Sequence, residues 1–205
     1  ILCLKESRPH LKKLKILIAC EYSGIVRDAF KEKGHDVWSC DILPTEKQGN
    51  HLKGDVLNYL NDGWDMMIAH PPCTYISNAG ARHLYPKGIL NEARLALGLK
   101  AKKFFENLYN AKIKKICVEN PVPSKIFELP KYSQIVQPFE YGEPLQKKTC
   151  LWLKNLPKLK PTNVVDIRQS TKIAGNWFNK GGKERQKNRS KFFVGIAKAM
   201  ADQWV

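Results

Sequence analysis

Apolar residues in this chain occur in two kinds of segment. Short apolar runs, one of them alternating with polar residues, are typical of strands, and apolar spacing of three and four is typical of amphipathic helices. The predicted strands are LKILIAC (14–20), HDVWSCDI (35–42), WDMMIAH (64–70), KKICVEN (114–120), QIVQPF (134–139) and TCLWLK (149–154). The predicted helices are SGIVRDAFKEKG (23–34), GILNEARLALGLKAKKFFENLYN (88–110) and FFVGIAKAMADQW (192–204).

The order of these elements predicts the fold class. Strands alternate with helices, which favours an α/β protein with an open, mostly parallel sheet and helices on both faces. Ser23 is expected to cap the first helix, and Gly34 is expected to end it.

Residues that carry chemistry lie at the carboxyl ends of four of the predicted strands. They are Cys20-Glu21, Asp41, His70-Pro71-Pro72-Cys73 and Glu119-Asn120-Pro121. Ligands of open α/β sheets bind outside the carboxyl ends of the strands. The sequence therefore predicts one functional crevice at this edge of the sheet.

The first β-α turn, ACEYSGIVRDAF, indicates the kind of cofactor. It lacks GxGxxG, which disfavours a dinucleotide. S-adenosylmethionine instead needs a close backbone approach and a helix N-terminus for its carboxylate, both of which Gly24 supplies. Asp41 is placed for the ribose hydroxyls, with a helix-cap or turn role as the alternative, and Asp55 is placed for the adenine amino group.

Cys73 stands directly after two prolines, which restrict the backbone and hold the thiol in place. A structural cysteine is the alternative, but Glu119 follows a neighbouring strand. A thiolate and an acid together suit attack on a pyrimidine. Sulfur adds to C6, the acid supports charge at N3, and C5 becomes nucleophilic enough to take a methyl group.

The net charge of the chain indicates what kind of partner it binds. The 205 residues carry a formal net charge of +16, and eleven Lys and Arg lie from Lys154 to Lys191 against two acids. Charge of this size attracts polyanions, of which nucleic acid is the commonest in cytosol. A solvated surface is the alternative, but the excess is concentrated in a Gly- and Asn-containing loop, which favours nucleic acid.

The cysteines indicate a reducing compartment. All six are widely spaced without a CxxC, so neither a metal site nor a disulfide framework is expected, and five are interpreted as core or inert thiols. No apolar run approaches the roughly 20 residues that span a bilayer, and the basic start of the chain has no secretory h-region. A cytoplasmic location is therefore expected.

Five motifs, in order, resemble those of the DNA cytosine-5 methyltransferases. They are ACEYSG (19–24), HPPC (70–73), CVENP (117–121), EYGEPLQKKTCLWL (140–153) and RSKFFVGIAKAMADQW (189–204). The resemblance covers nearly the whole chain and is closest to the short versions encoded by bacteriophages. It implies a class I methyltransferase fold, S-adenosylmethionine as cofactor, DNA as substrate, and the cytoplasm of a bacterium or phage-infected host.

The resemblance also implies roles for individual residues. Cys73 would be the nucleophile and Glu119 the N3 partner, while Asn120 would brace the Cys73 loop and Lys148 would lie near base or phosphate. The implied cofactor residues are Cys20, Glu21, Tyr22, Gly24, Asp41, Ile42, Asp55 and Pro71. Apart from the resemblance, the residues expected to contact nucleic acid are Arg82, Lys183, Arg185, Lys187 and Arg189. For Arg82, which follows the Cys73 loop, a surface salt bridge is the alternative to contact with phosphate or with O2 of the base.

The sequence departs from the family pattern in three places. Glu21-Tyr22 replaces the usual glycine-rich first motif, and His70 replaces a small residue. Residues 1–153 and 190–205 are predicted to form the catalytic domain, and 154–189 form a basic insertion too short for a full target-recognition domain. We therefore expect contacts with the nucleic-acid backbone and little recognition of base sequence. A short recognition sequence, an accessory partner protein, or a single-stranded or otherwise accessible target would each be compatible with this.

Three other functions remain compatible with the sequence. An amino methyltransferase acting on adenine N6 or cytosine N4 needs no thiol and uses an Asp/Asn/Ser-Pro-Pro-aromatic loop, which HPPC lacks. A catalytically silent nucleic-acid-binding protein with this fold would gain nothing from Cys73 and Glu119. Methylation of RNA or of free cytosine nucleotides would use the same site. Self-protection from restriction, host modification and regulation are all compatible roles.

Overall fold

Seven strands form a single sheet in the computed structural model, which describes residues 12–166 and 191–205. Their bounds are β1 Lys15–Ala19, β2 Asp36–Asp41, β3 His51–Lys53, β4 Met66–Ala69, β5 Lys115–Pro121, β6 Gln134–Val136 and β7 Thr149–Lys154. All six predicted strands are present. The sequence pattern missed only β3 among these seven, because three half-polar residues show no periodicity.

The strand order is β3-β2-β1-β4-β5-β7-β6. The first five are parallel, and β7 runs antiparallel to both of its neighbours. This order confirms the predicted α/β class with an open, mostly parallel sheet. The chain progresses outward in both directions from β1 and β4, so the topological switch point lies between these two strands, where α/β proteins bind their ligands.

Four α-helices accompany the sheet within the described ranges: α1 Ile25–Lys31, α2 Asn78–Ala81, α3 Glu92–Tyr109 and α4 Val194–Gln203. The long predicted helix begins at Glu92 rather than residue 88, because Asn91 Oδ1 accepts a hydrogen bond from the Arg94 amide (3.0 Å). Pro86–Gly88 forms a separate 3₁₀ turn. No helix in the described ranges is long and apolar enough to cross a membrane.

Alternating residues of the central strands build a core on each face of the sheet. Ile16 and Ile18 of β1 belong to the core that includes α1 and α4, whereas Leu17 and Ala19 belong to the core that includes α3. The prediction of helices on both faces is therefore confirmed. Burial on both faces also explains why β1 shows a continuous apolar run.

The beginning of the predicted basic insertion lies against the rest of the fold. Gln134 Oε1 accepts a hydrogen bond from the Leu159 amide (2.8 Å), and Gln134 Nε2 donates one to the Leu159 carbonyl (2.7 Å). Trp204 Nε1 donates a hydrogen bond to the Pro157 carbonyl (3.0 Å). Residues 157 and 159 thus contact the fold, and the predicted division of the chain after residue 153 stays a prediction. Residues 167–189 lie outside the described residues, so a separate unit there stays a prediction.

Close contact between α4 and the segment before β7 sets the position of this helix. Glu143 Oε1 accepts a hydrogen bond from the Gly195 amide (2.9 Å) at the start of α4. Burial raises the pKa of Glu143, although the amide hydrogen bonds from Gly195 and Val194 act against this shift. A Cβ at position 195 would lie 1.9 Å from the Tyr141 carbonyl oxygen, so only glycine permits the approach.

Gly195→Ala is expected to destabilise the protein even though alanine is the better helix former. The added methyl group forces α4 away from the Tyr141 backbone, which should cost about 1–3 kcal/mol. At this chain length the melting temperature should fall by roughly 2–12 °C, measured by thermal unfolding. Gly54→Ala is the control, because its Cβ would make an ordinary 3.4 Å contact. A higher melting temperature for Gly195→Ala would contradict the contact.

Candidate active site

The carboxyl ends of four adjacent strands bring the predicted chemistry together at one edge. Backbone hydrogen bonds continue beyond the strands there: the Glu21 amide donates to Cys40 (3.1 Å), and the His70 amide donates to Ala19 (2.9 Å). The turns after β1, β2 and β4 are therefore held side by side. Glu119 and Asn120 lie within β5, which pairs with β4.

Asn120 connects β5 to the loop that carries Cys73. Its side chain is 1% exposed, and its Nδ2 donates a hydrogen bond to the Pro71 carbonyl (3.0 Å). Pro71 is buried beneath the loop, while Cys73 is half-buried. Cys73 is thus outside the fully buried core. Asn120 Oδ1 is buried with no hydrogen-bond partner among the described residues, as expected of an atom beside a ligand site.

The Cys73 loop is fixed on its far side as well. The Cys73 carbonyl accepts hydrogen bonds from the amides of Ile76 (3.3 Å) and Ser77 (3.0 Å), which form a tight turn. Arg94 of α3 donates through Nη2 to the carbonyls of Thr74 (3.3 Å) and Gly80 (3.0 Å). Sequence reasoning missed Arg94, because helical spacing alone does not show which loop an arginine reaches.

Glu119 makes its closest side-chain contact with His70. Glu119 Oε2 lies 3.2 Å from His70 Nδ1, and the two side chains are only 13% and 10% exposed. The His70 ring packs on Phe192 with a centroid separation of 4.7 Å. A histidine in place of a small residue was noted in the sequence, but its contact with Glu119 depends on the register between β4 and β5.

Burial distinguishes Cys73 from three of the other four described thiols, whereas Cys20 is half-buried like Cys73. Cys40, Cys117 and Cys150 are fully buried, as predicted for core thiols. Burial raises the pKa of Cys150 to about 11, with the charge of Glu119 contributing, and raises the pKa of Cys40 to about 12. Burial also raises the pKa of Cys117. These shifts disfavour the nucleophilic thiolate. Cys3 lies outside the described residues.

Glu21, one of the implied cofactor residues, is bonded to the start of α1. It is 4% exposed, and its carboxylate accepts hydrogen bonds from the amides of Val26 (2.7 Å) and Arg27 (3.2 Å) at the start of α1. The helix N-terminus expected to receive a cofactor carboxylate is therefore already bonded. Ser23, the predicted cap, accepts a hydrogen bond from the Ile25 amide through Oγ (3.4 Å). The N-cap position itself is occupied by Gly24, with φ +71°.

Arg27 is a buried cation that the sequence did not reveal. Its guanidinium is fully buried, pairs with Asp28 (2.9 Å), and donates to four oxygens around the loop after β2. These acceptors are Ser39 Oγ, Thr45 Oγ1, Lys47 O and Gln48 O. A Cβ at Gly24 would come within 2.5 Å of Arg27. Arg27 and Gly24 together shape the turn where a cofactor is expected.

The predicted ribose-binding end of β2 is half-buried and polar, with an apolar residue beside it. Asp41 Oδ1 accepts a hydrogen bond from the Leu43 amide (2.9 Å). Burial raises the pKa of Asp41, although amide hydrogen bonds from Leu43 and Ile42 oppose the shift. The Ile42 side chain is 72% exposed.

The remaining predicted cofactor residues lie around the same turn. Cys20 adopts a left-handed backbone conformation (φ 60°), a strained state for a non-glycine residue. Burial, followed by the nearby charge of Asp41, raises the pKa of its thiol. Tyr22 is buried, and its carbonyl accepts from the Glu46 amide. Asp55 is exposed and caps a 3₁₀ turn through the Leu57 amide.

The predicted nucleic-acid residues divide into two sets. Arg82 is exposed beyond the Cys73 loop, and its Nε donates to His83 Nε2 (3.0 Å). Lys148 is also exposed and directly precedes β7, at the point where β7 pairs with Asn120 and Pro121. Lys183, Arg185, Lys187 and Arg189 lie outside the described residues.

No protein-family model and no curated protein matches the chain. Similar solved structures include a protein described as a DNA modification methyltransferase of an E. coli prophage. It is 16% identical to this chain and has a TM-score of 0.44, and the match covers 75% of this chain and 52% of that chain. A methyltransferase of Entamoeba histolytica shows 14% identity, coverage of 76% and 58%, and a TM-score of 0.48. An rRNA methylase from Escherichia coli shows 13% identity and a TM-score of 0.38, with 69% of this chain and 57% of that chain covered. The chain thus spans between 52% and 58% of these structures.

Asp41→Asn is expected to stabilise the free protein at neutral pH. Burial penalises the ionised carboxylate, whereas an asparagine oxygen still accepts from the Leu43 amide. The pKa of Asp41 in the folded protein is raised above its ordinary value of 3.8. The contribution of Asp41 to wild-type stability therefore falls as the pH rises from that ordinary pKa through the raised one. The variant's advantage in melting temperature should therefore be larger at about pH 7 than at about pH 4.

Asp55→Asn is the matched control, since Asp55 is exposed and also accepts a backbone amide (Leu57, 3.0 Å). It should gain no stability at either pH. Equal melting temperatures for wild type and Asp41→Asn at both values would show that Asp41 carries no burial penalty.

Proposed function

We propose that this chain is an S-adenosylmethionine-dependent DNA cytosine-5 methyltransferase. The observation that carries the proposal is the hydrogen bond from Asn120 Nδ2 to the Pro71 carbonyl (3.0 Å). It ties the loop of half-buried Cys73 to the strand of the carboxylate, Glu119. A thiol and a carboxylate in neighbouring positions are the two groups that cytosine C5 chemistry requires.

Each group has a separate task in the proposed reaction. The Cys73 thiol first gives its proton to a base, and the resulting thiolate sulfur bonds to C6 of cytosine while the acid form of Glu119 transfers its proton to N3. Electron density then accumulates at C5, which takes up the methyl group that S-adenosylmethionine supplies when bound. Loss of the C5 proton to a base and cleavage of the sulfur–C6 bond, with the N3 proton returning to Glu119, restore both groups.

The crevice beyond β1 and β2 offers groups that suit the cofactor. Asp41 provides a half-buried carboxylate for ribose hydroxyls, and the exposed Ile42 provides an apolar surface for a purine ring. The penalty that burial imposes on Asp41 is typical of a residue kept for a ligand. Because Glu21 already occupies the amides of α1, we assign the amino-acid part of the cofactor to other groups of this crevice.

DNA is the proposed substrate because the chain is strongly basic, with a net charge of +16. Exposed Arg82 and Lys148 flank the Cys73 loop and the end of β5, where a phosphate backbone would pass. A base inside a duplex must be flipped out to reach Cys73, at a cost of a few kcal/mol that such contacts offset.

DNA that contains 5-fluorocytosine should trap the wild-type protein as a denaturation-resistant adduct. Fluorine at C5 prevents the elimination step, so the sulfur–C6 bond persists after methyl transfer. The adduct is measured by denaturing gel electrophoresis with S-adenosylmethionine, and its position is read by peptide mass spectrometry. Cys73→Ser should abolish trapping, because a serine hydroxyl is a far weaker nucleophile.

Cys150→Ala is the matched control for this experiment. Cys150 is a fully buried thiol near Glu119, so its removal should leave trapping at the wild-type level. Methyl transfer to DNA that survives Cys73→Ser would instead indicate an amino methyltransferase. No adduct and no transfer with single- or double-stranded DNA would indicate a binding protein.

Arg82→Ala is expected to weaken DNA binding mainly at low salt. Removing one phosphate contact should reduce the slope of log affinity against log salt by about 1. The measurement is fluorescence anisotropy of labelled DNA over a salt series. Lys33→Ala is the control, because Lys33 follows α1 at the opposite edge of the sheet and pairs with Asp202. Equal slopes for both variants would exclude a phosphate contact at Arg82.

A further inference from the structure

His70 contacts the proposed catalytic carboxylate and has no role in the reaction described above. It directly follows β4 and is 10% exposed, with its ring against Phe192. Its Nδ1 lies 3.2 Å from Glu119 Oε2. We propose that His70 is a positioning residue that orients Glu119, an inference that rests on the proposed function.

The hydrogen-bond partners of His70 determine where its proton lies. Nε2 is buried and has no partner among the described residues. A buried N–H without an acceptor is rarer than an unused lone pair, so the proton belongs on Nδ1 rather than on Nε2. His70 therefore donates through Nδ1 to Glu119 Oε2.

This single donor makes the two oxygens of Glu119 different. Oε2 is committed as an acceptor, so the proton of the acid form is carried by Oε1. Only a carboxyl group held in this orientation presents its O–H to N3 when the base enters. Without His70, the carboxyl group can rotate and present the acceptor oxygen to N3 instead.

Packing keeps the histidine itself in place. The His70 amide is bonded to the end of β1 (Ala19 O, 2.9 Å), and Phe192 covers the ring at 4.7 Å between centroids. The donor is thus held by backbone on one side and by an aromatic ring on the other. A rigid neighbour of this kind can fix a catalytic group in its reactive orientation.

The test compares two substitutions of His70. His70→Phe keeps an aromatic ring without a donor, and it should slow adduct formation with 5-fluorocytosine DNA by about 10- to 100-fold. The KM for DNA should change little, because Glu119 orientation affects the reaction more than backbone binding. His70→Asn places an amide donor near the position of Nδ1 and should recover most of the rate.

Coupling to Glu119 separates positioning from a purely structural role. In a Glu119→Gln background, His70→Phe should cause little further loss, since the carboxyl group to be oriented is gone. Wild-type rates for His70→Phe, no recovery in His70→Asn, or an undiminished loss in the Glu119→Gln background would each overturn the positioning role. Absence of an adduct with the wild-type protein would instead overturn the proposed function itself.

Discussion

The hydrogen bond between Asn120 and the Pro71 carbonyl is the contact on which the site depends. Parallel strands fix the separation of their backbones, but they do not fix the loops that leave them. Two prolines remove backbone donors and restrict this loop, and Asn120 binds the carbonyl that remains. The loop that carries the half-buried Cys73 is thereby tied to the strand that carries Glu119, although neither of these side chains contributes to the bond.

Three groups at this edge are strained, disfavoured by burial or exposed. Cys20 has a left-handed backbone conformation, Asp41 is a carboxylate that burial disfavours, and Ile42 exposes most of its side chain. Elsewhere in the described core, apolar side chains are buried and most polar atoms are paired. Left-handed backbone and exposed apolar side chains also occur away from this edge, at Lys87, Glu128 and Asn155 and at Ile89 and Val164.

The fold and the location of the site were predictable because both follow from local patterns. Buried parallel strands show continuous apolar runs, and their carboxyl ends meet at one edge, so Cys73, Glu119 and Asp41 could be grouped from the sequence. The role of Glu21 as a helix cap, the buried guanidinium of Arg27 and the contact of His70 with Glu119 were missed. Each depends on a side chain reaching another element, which periodicity does not encode.

Phe192 connects the site to the order in which the chain is synthesised. It packs on His70, yet it follows His70 by more than a hundred positions and belongs to the segment that leads into α4. A nascent chain can pair β1, β4 and β5 before this segment leaves the ribosome, but the ring of His70 then lacks its cover. The site is therefore complete only after the segment that contains Phe192 has been synthesised and has packed against His70.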